Sequence, residues 1–395
     1  MRETIEAGRR QGRLLDFVKR HVGNSSLETC LGCGSCSNVC AVSGKAGMDP
    51  CMFMQMILAE QQEEALNASW LWYCSLCSSC STVCPMSIDI PAVISLFRSL
   101  KAGEMLPVPL RKRLERWIST GNTCSLLPGD YLDLVSIGQE SLRKRTGSSD
   151  LKIPVDQKGA KVLLLLDPEV LRQRPSILAD YALIFFMAGE SWTISSLPLG
   201  TADLTLVTGE DEPGRVWLRK VCGLAGFLGT ETVLIDDCHN RLSSFGVGGR
   251  LKKISHPFNV TTMPALVSRY IEMGKVEIKS PLAMTVTCQV PCSMSDGLGQ
   301  LDLRTLCKAI CEEVEDMAWP VINSACCGGS LLRAGLEGEM EGFYAAKSRE
   351  LARMKSEAVV TFCATCFLQF LRLSKRGMAS QNVLFFPEAL SSCLS

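Results

Sequence analysis

Short apolar runs alternate with longer amphipathic segments through the carboxy-terminal part of the chain. AMTVTC (283–288), PVINSA (320–325) and AVVTF (358–362) read as buried strands. Between the second and third runs, EGEMEGFYAAKSRELARMKSE carries Met340, Phe343, Tyr344, Leu351 and Met354 near helical spacing. This order predicts parallel strands joined by helical crossovers, with their carboxyl ends on one edge of the sheet, where α/β folds place ligands. A weaker copy of the pattern lies upstream, so residues 160–277 read as a worn repeat of 281–395. KVLLLLDPE lines up with MTVTCQVPC, pairing Pro168 with Pro291 and Glu169 with Cys292. TVLIDDCHNR lines up with the segment from Ala358, pairing Cys238 with Cys363 and Arg241 with Cys366, while LPLG (197–200) falls near where CCGG would stand. ILADYALIFFMA (177–188) carries Asp180 and is too short to span a bilayer, so it reads as a buried helix.

The amino-terminal pattern is helical. Leu14, Leu15, Phe17 and Val18 among Arg9, Arg10, Arg13, Lys19 and Arg20 predict an amphipathic helix within 1–22, whose basic face is read as solvated. Asp49 as cap and Pro50 at the first helical position predict a helix through CMFMQMILAEQQEEALN. From 101 to 160 the pattern loosens: LPVPLRKRLERW has room for a short basic helix, and RKRTGSSDLKIPVDQKG places a boundary near 155. The expected fold is multidomain, α and α/β. A mostly helical domain (1–105) is followed by a linker (106–157) and a pseudo-duplicated α/β domain (158–395), with halves 158–278 and 279–395.

Composition narrows the function. Forty-one basic and forty-one acidic residues cancel, which removes the electrostatic footprint of a nucleic-acid binder. Twenty-one cysteines without an amino-terminal apolar segment point to metal ligation in a reducing cytoplasm. No apolar run approaches membrane-spanning length, so attachment to the inner face of a membrane would require a partner.

The cysteines fall into patterns. Cys30, Cys33, Cys36 and Cys40 form one CxxCxxCxxxC run, and Cys74, Cys77, Cys80 and Cys84 form another, followed by proline. Paired runs of this kind hold two 4Fe-4S cubanes, the fourth cysteine of each run ligating the other cluster. By that rule Cys30, Cys33, Cys36 and Cys84 hold one cluster, and Cys74, Cys77, Cys80 and Cys40 the other. Gly32 and Gly34 suit a loop that wraps closely around a cluster. A third set comprises Cys292, the vicinal pair Cys326–Cys327, Cys363 and Cys366, each site following one of the apolar runs. A tetrahedral zinc site rarely takes two adjacent cysteines, which favours a polynuclear iron site over zinc; buried, unligated thiols are the plainer alternative.

Pro291-Cys292, ACCGG (325–329) and CATC (363–366) together resemble the cysteine-rich "CCG" domain of heterodisulfide reductases. The resemblance implies a non-cubane 4Fe-4S cluster on Cys292, Cys326, Cys327, Cys363 and Cys366. The amino-terminal module resembles the helical ferredoxin-like subunit of that enzyme, and the iron-sulfur subunits of fumarate and glycerol-3-phosphate dehydrogenases. Family members that cleave heterodisulfides use two intact cysteine-rich halves, whereas only one is intact here. In ligand count the chain is therefore more similar to the DsrK subunit of the sulfite reductase-associated membrane complex. The resemblance implies an oxidoreductase subunit in a hetero-oligomeric complex, with a flavin-bearing or ferredoxin-like partner feeding two cubanes and then the third cluster. Reduction of a disulfide or sulfur carrier at that cluster, and a quinol-linked module on a membrane cytochrome, are the alternatives.

The other candidates read as structural. Cys51, Cys124, Cys222, Cys238, Cys288, Cys307, Cys311 and Cys393 are expected to be packing residues, with Cys288 and Cys238 the first to test as redox-active thiols. Met48, Met52, Met54 and Met56 read as core, and Trp70, Trp72 and Tyr73 as a shield against water. His21, His239 and His256 are scattered. GLAGFLG (223–229) and GVGG (246–249) lack the context of a dinucleotide fingerprint, so no flavin or nicotinamide site is expected.

Overall fold

The computed structural model describes residues 13–23, 27–101, 106–200, 203–237, 256–292, 303–317 and 325–394. Cys238, His239, the GVGG segment and Arg9 and Arg10 lie outside them. The described residues up to Lys101 fold as short helices: Leu14–Val22, Ser35–Val39, Pro50–Leu58, Gln62–Asn67, Ser79–Thr82 and Ile90–Lys101. Asp49 caps the third as expected, its carboxylate accepting the Met52 N–H at 2.9 Å, and this helix buries Phe53, Met54 and Ile57. The helix expected to continue to Asn67 is instead two, because Glu60 adopts a left-handed φ of 59°. The Glu60 carboxylate accepts the N–H groups of Leu14 and Leu15, tying the start of the first helix in place. Of the four methionines, Met48 and Met54 are core and Met56 packs beside it, whereas Met52 is exposed.

The segment read as a linker is mostly helical. Val108–Thr120 and Pro128–Thr146 are two full helices, each closed by a left-handed glycine, Gly121 and Gly147. The second packs on helix Ile177–Met187 so closely that a Cβ on Gly138 would sit 2.9 Å from Leu178 Cβ. Tyr131, Val135 and Leu142 therefore belong to the core of the α/β part.

That part contains two parallel sheets. Strands β1 (Val162–Leu164), β2 (Trp192–Ile194), β3 (Thr232–Leu234) and β4 (Asn259–Thr261) form the first, in the order β2-β1-β3-β4. Strands β5 (Leu282–Gln289), β6 (Cys311–Glu315), β7 (Ala358–Thr361) and β8 (Asn382–Phe385) form the second, in the order β6-β5-β7-β8. The winding is the same, and so is the register. Leu163 pairs with Val233 in the first sheet, and their counterparts in the sequence alignment, Val286 and Ala358, pair in the second.

One strand differs from expectation. Residues 320–324 lie outside the described segments and Ala325 is not in a strand; the sheet position preceding the vicinal pair belongs to β6. As an edge strand, β6 keeps Glu312 and Glu313 exposed, which hides it from a search for buried runs. The two halves share one core and are joined by polar contacts. Arg145 and the Ser391 hydroxyl both donate to the buried Asp180 carboxylate, and Arg174 pairs with Glu388 at 2.7 Å. Among the described residues no helix is long and apolar enough to cross a membrane.

Candidate metal centres

The two amino-terminal cysteine loops share a backbone shape. In the first, Gly32 and Gly34 have φ of 62° and 76°; in the second, Leu76 and Ser78, at the same offsets from the leading cysteine, have φ of 56° and 68°. Glycine adopts this conformation freely, whereas a branched side chain such as leucine does so at a cost. Retaining it without glycine points to a shape that the loop requires. Each loop then enters a short helix, Ser35–Val39 or Ser79–Thr82, with Gly34 or Ser78 at its cap position.

The loops exchange their last cysteines. Cys30, Cys33, Cys36 and Cys84 line one cavity of about 370 Å³, together with Cys51. Cys40, Cys74, Cys77 and Cys80 line a second, of about 450 Å³. Cys326 reaches into this second cavity from the far end of the chain. Among the described residues no three Cys, His, Asp or Glu side chains close on a point as ligands of a single ion would. The first loop is open, with Cys33 exposed and Leu31 69% exposed, whereas Cys74 and Cys80 are buried. Burial raises the pKa of Cys36, to about 11, and of Cys40 and Cys80. The Cys326 thiol donates to Cys77 and lowers its pKa.

The five carboxy-terminal cysteines converge. Cys292 follows β5 and Cys363 follows β7, so the parallel sheet brings both to one edge. Cys326 interacts with Cys292, Cys327 and Cys77, and Cys366 donates to Cys327 at 3.4 Å. With both Cys326 and Cys366 donating, Cys327 is held well below the usual thiol range. The paired glycines after the vicinal cysteines have separate reasons. Gly328 has φ of 72°, and a Cβ on Gly329 would lie 2.0 Å from Thr365 Cγ2, so the ACCGG turn and the CATC turn interlock only without a side chain there.

The first half places carboxylates beside the positions that correspond to the thiols of the second. Asp167 follows β1, Asp236 and Asp237 follow β3, and together with Leu199 and Gly200 of LPLG they line a cavity of about 300 Å³. Into this corner the second half sends Arg333, which is buried. It donates to Asp167 at 2.6 Å, to Asp237 at 3.4 Å and to the Thr365 hydroxyl at 2.6 Å. Thr365, between Cys363 and Cys366, donates to Asp237, and the Ala364 N–H donates to the Asp236 carbonyl at 2.6 Å. The worn half therefore clamps the last cysteine turn. Sequence reasoning missed Arg333, Asp167, Asp236 and Asp237; the alignment of Asp167 and Asp237 with residues flanking the intact motif was the available signal.

Residues 26–88 match the 4Fe-4S dicluster domain family, and residues 286–371 match the cysteine-rich domain family. The chain carries the domain pairing of heterodisulfide reductase-like iron-sulfur proteins. It matches no curated protein and no solved structure.

The residues of this chain fit iron-sulfur clusters on three counts. The donor sets are thiols alone. The hydroxyls of Ser78 and Ser81, beside Cys77 and Cys80, are buried with no hydrogen-bond partner among the described residues, which suits donors to a cluster sulfide. Arg98 is fully buried, and its hydrogen bonds go to the carbonyls of Leu71, Cys74 and Val207, so its charge calls for an anion nearby. Burial lowers its pKa to about 10, with only Cys74 opposing.

Other expectations find their places. Trp70 lines the second cavity, and Arg98 lies over the Trp72 ring. GLAGFLG forms the carboxy-terminal turns of helix Asp211–Leu228, with Gly229 as its left-handed cap. Cys288 and Cys307, expected as packing residues, instead form a disulfide, whereas Cys311 and Cys393 are buried and unpaired by disulfides. Cys51, expected in the core, sits at the first cavity instead.

Proposed function

We propose that this chain is the electron-transfer subunit of a multi-subunit, heterodisulfide reductase-like complex. In this reading Cys30, Cys33, Cys36 and Cys84 hold one 4Fe-4S cubane, Cys74, Cys77, Cys80 and Cys40 hold a second, and Cys292, Cys326, Cys327, Cys363 and Cys366 hold a non-cubane 4Fe-4S cluster. Such clusters, when bound, supply one-electron steps whose potentials depend on charge, hydrogen bonding and exposure. The observation that carries the reading is the position of Cys326, which belongs to the third thiol set and also lines the cavity of the second.

The protein's own residues order the path. Exposed Leu31 and Cys33 make the first loop the accessible end, suited to docking a flavin-bearing or ferredoxin-like partner. Trp70, Phe343 and the buried Cys74 and Cys80 exclude water from the middle position. Ser75 Oγ lies 3.5 Å from Cys326, and Ser330 Oγ donates to the Ser75 carbonyl at 2.9 Å, which fixes the second loop against the vicinal pair. A second reading has the third set itself reduce a disulfide or sulfur carrier; it is favoured by Cys292, which alone of the five is partly exposed.

Paramagnetic resonance of anaerobically prepared protein during stepwise reduction tests the assignment. Cys84→Ala should remove the signal of the first cluster and leave the second, and Cys40→Ala the reverse. Loss of the second signal in Cys84→Ala, with the first retained, would overturn the crossed ligand sets.

A further inference from the structure

A cleft of about 850 Å³ opens between helix Val108–Thr120, helix Pro168–Gln173 and helix Ala364–Lys375. Its polar lining is mainly cationic: Arg113, Arg172, Arg333, Arg372 and Lys375, against the single carboxylate of Glu169, over a floor of leucines. Three of these cations have carboxylate partners. Arg172 pairs with Glu169 at 2.6 Å, Arg372 with Glu337 at 3.0 Å, and Arg333 with Asp167 and Asp237.

The remaining two have neutral partners. Arg113 donates to the Thr123 carbonyl at 3.2 Å, and Lys375 to the Gln173 side-chain oxygen at 3.1 Å. Burial lowers the pKa of Arg113; Glu169 and Glu337 oppose that shift, and Arg116 and Arg372 add to it. A half-buried guanidinium whose hydrogen bond goes to a neutral carbonyl, in a cleft that Arg372 and Lys375 also line, is a position that an anion relieves, and its planar fork matches phosphate and carboxylate oxygens.

We infer that this cleft binds a small organic molecule through a dianionic group, either a phosphate or a pair of carboxylates, held by Arg113 and Lys375. The leucine floor accommodates the apolar remainder of the ligand. Through Arg333, which donates to Thr365 between Cys363 and Cys366, the inner end of the cleft is one side chain away from the five-thiol group. The site is independent of the metal assignment, because every residue that builds it lies outside the cysteine sets.

Isothermal titration of the full chain with pyrophosphate, and separately with succinate, at matched ionic strength is the test. Saturable one-site binding of either, at roughly millimolar affinity or tighter, is expected. Pyrophosphate alone assigns phosphate as the recognised group, and succinate alone assigns carboxylates. Arg113→Gln and Lys375→Gln should each weaken binding about tenfold, equivalent to about 1.4 kcal/mol. Arg113→Lys should recover part of the loss, and Lys152→Gln should have no effect. Lys375 is exposed, so its substitution leaves folding intact even if Arg113→Gln does not. Absence of saturation with both anions, or unchanged affinity in Lys375→Gln, overturns the proposal.

Discussion

The thiol of Cys326 hydrogen-bonds the sulfur of Cys77. One residue lies at the vicinal pair of the carboxy-terminal sheet and the other in the second amino-terminal loop, so two domains far apart in sequence share a wall of sulfur. If this is the junction between the second and third centres, Cys326→Ala, which removes a ligand of the third cluster at that junction, should leave both amino-terminal signals intact under reduction while the third signal is lost or no longer appears on reduction. Freeze-quenched resonance spectra after mixing with dithionite measure this. An unchanged third signal at unchanged rate would place the junction elsewhere.

Arg98 is the second test. Buried among carbonyls, it has the second thiol set as its nearest negative charge. A cation stabilises the more negative, reduced form of a cluster, so Arg98→Met should shift the potential of the second cluster to more negative values and leave the first unchanged. Three carbonyls lose their donor, which should also cost about 1–3 kcal/mol of stability. Arg98→Lys should restore most of the potential but less of the stability. Redox titration and chemical denaturation separate the two effects.

Arg333 makes a prediction with a defined pH dependence. Arg333→Met strands Asp167 and Asp237 as buried carboxylates and should destabilise the chain by about 3–5 kcal/mol at neutral pH. Burial already raises the Asp167 pKa, and Arg333 opposes that shift. Without the guanidinium the folded-state value rises further above the unfolded one. A carboxyl shifted upward favours folding fully below its unfolded pKa, and the benefit is lost as pH rises through the folded value. The deficit of the variant should therefore shrink as pH falls from 8 to about 5, as urea unfolding would show. A deficit independent of pH would mean that Asp167 does not titrate there.

Much of this arrangement was legible in the sequence, for identifiable reasons. The paired CxxCxxCxxxC runs encode cysteine spacing directly, and the crossed grouping that they predict is the grouping that lines the two cavities. The worn repeat could be aligned because Asp167-Pro168 and Cys238 follow apolar strand runs in both halves, and the strand register agrees with that alignment. Helix Pro128–Thr146 escaped notice because its charged outer residues dominate a segment whose buried positions are few, chiefly Tyr131, Val135, Gly138 and Leu142. β6 was missed because an edge strand with exposed glutamates has no buried run. The Arg333 clamp was not legible, since a buried ion pair across 166 residues leaves no local pattern.

The central claim is that three thiol sets each hold iron. Iron and acid-labile sulfide, measured on anaerobically prepared chain alongside alkylation of the folded protein, test it most directly. The account predicts about twelve irons per chain, four for each of three clusters, with Cys326 and Cys327 protected until the protein is unfolded. About eight irons, with Cys326 and Cys327 free to alkylate in the folded state, would contradict it.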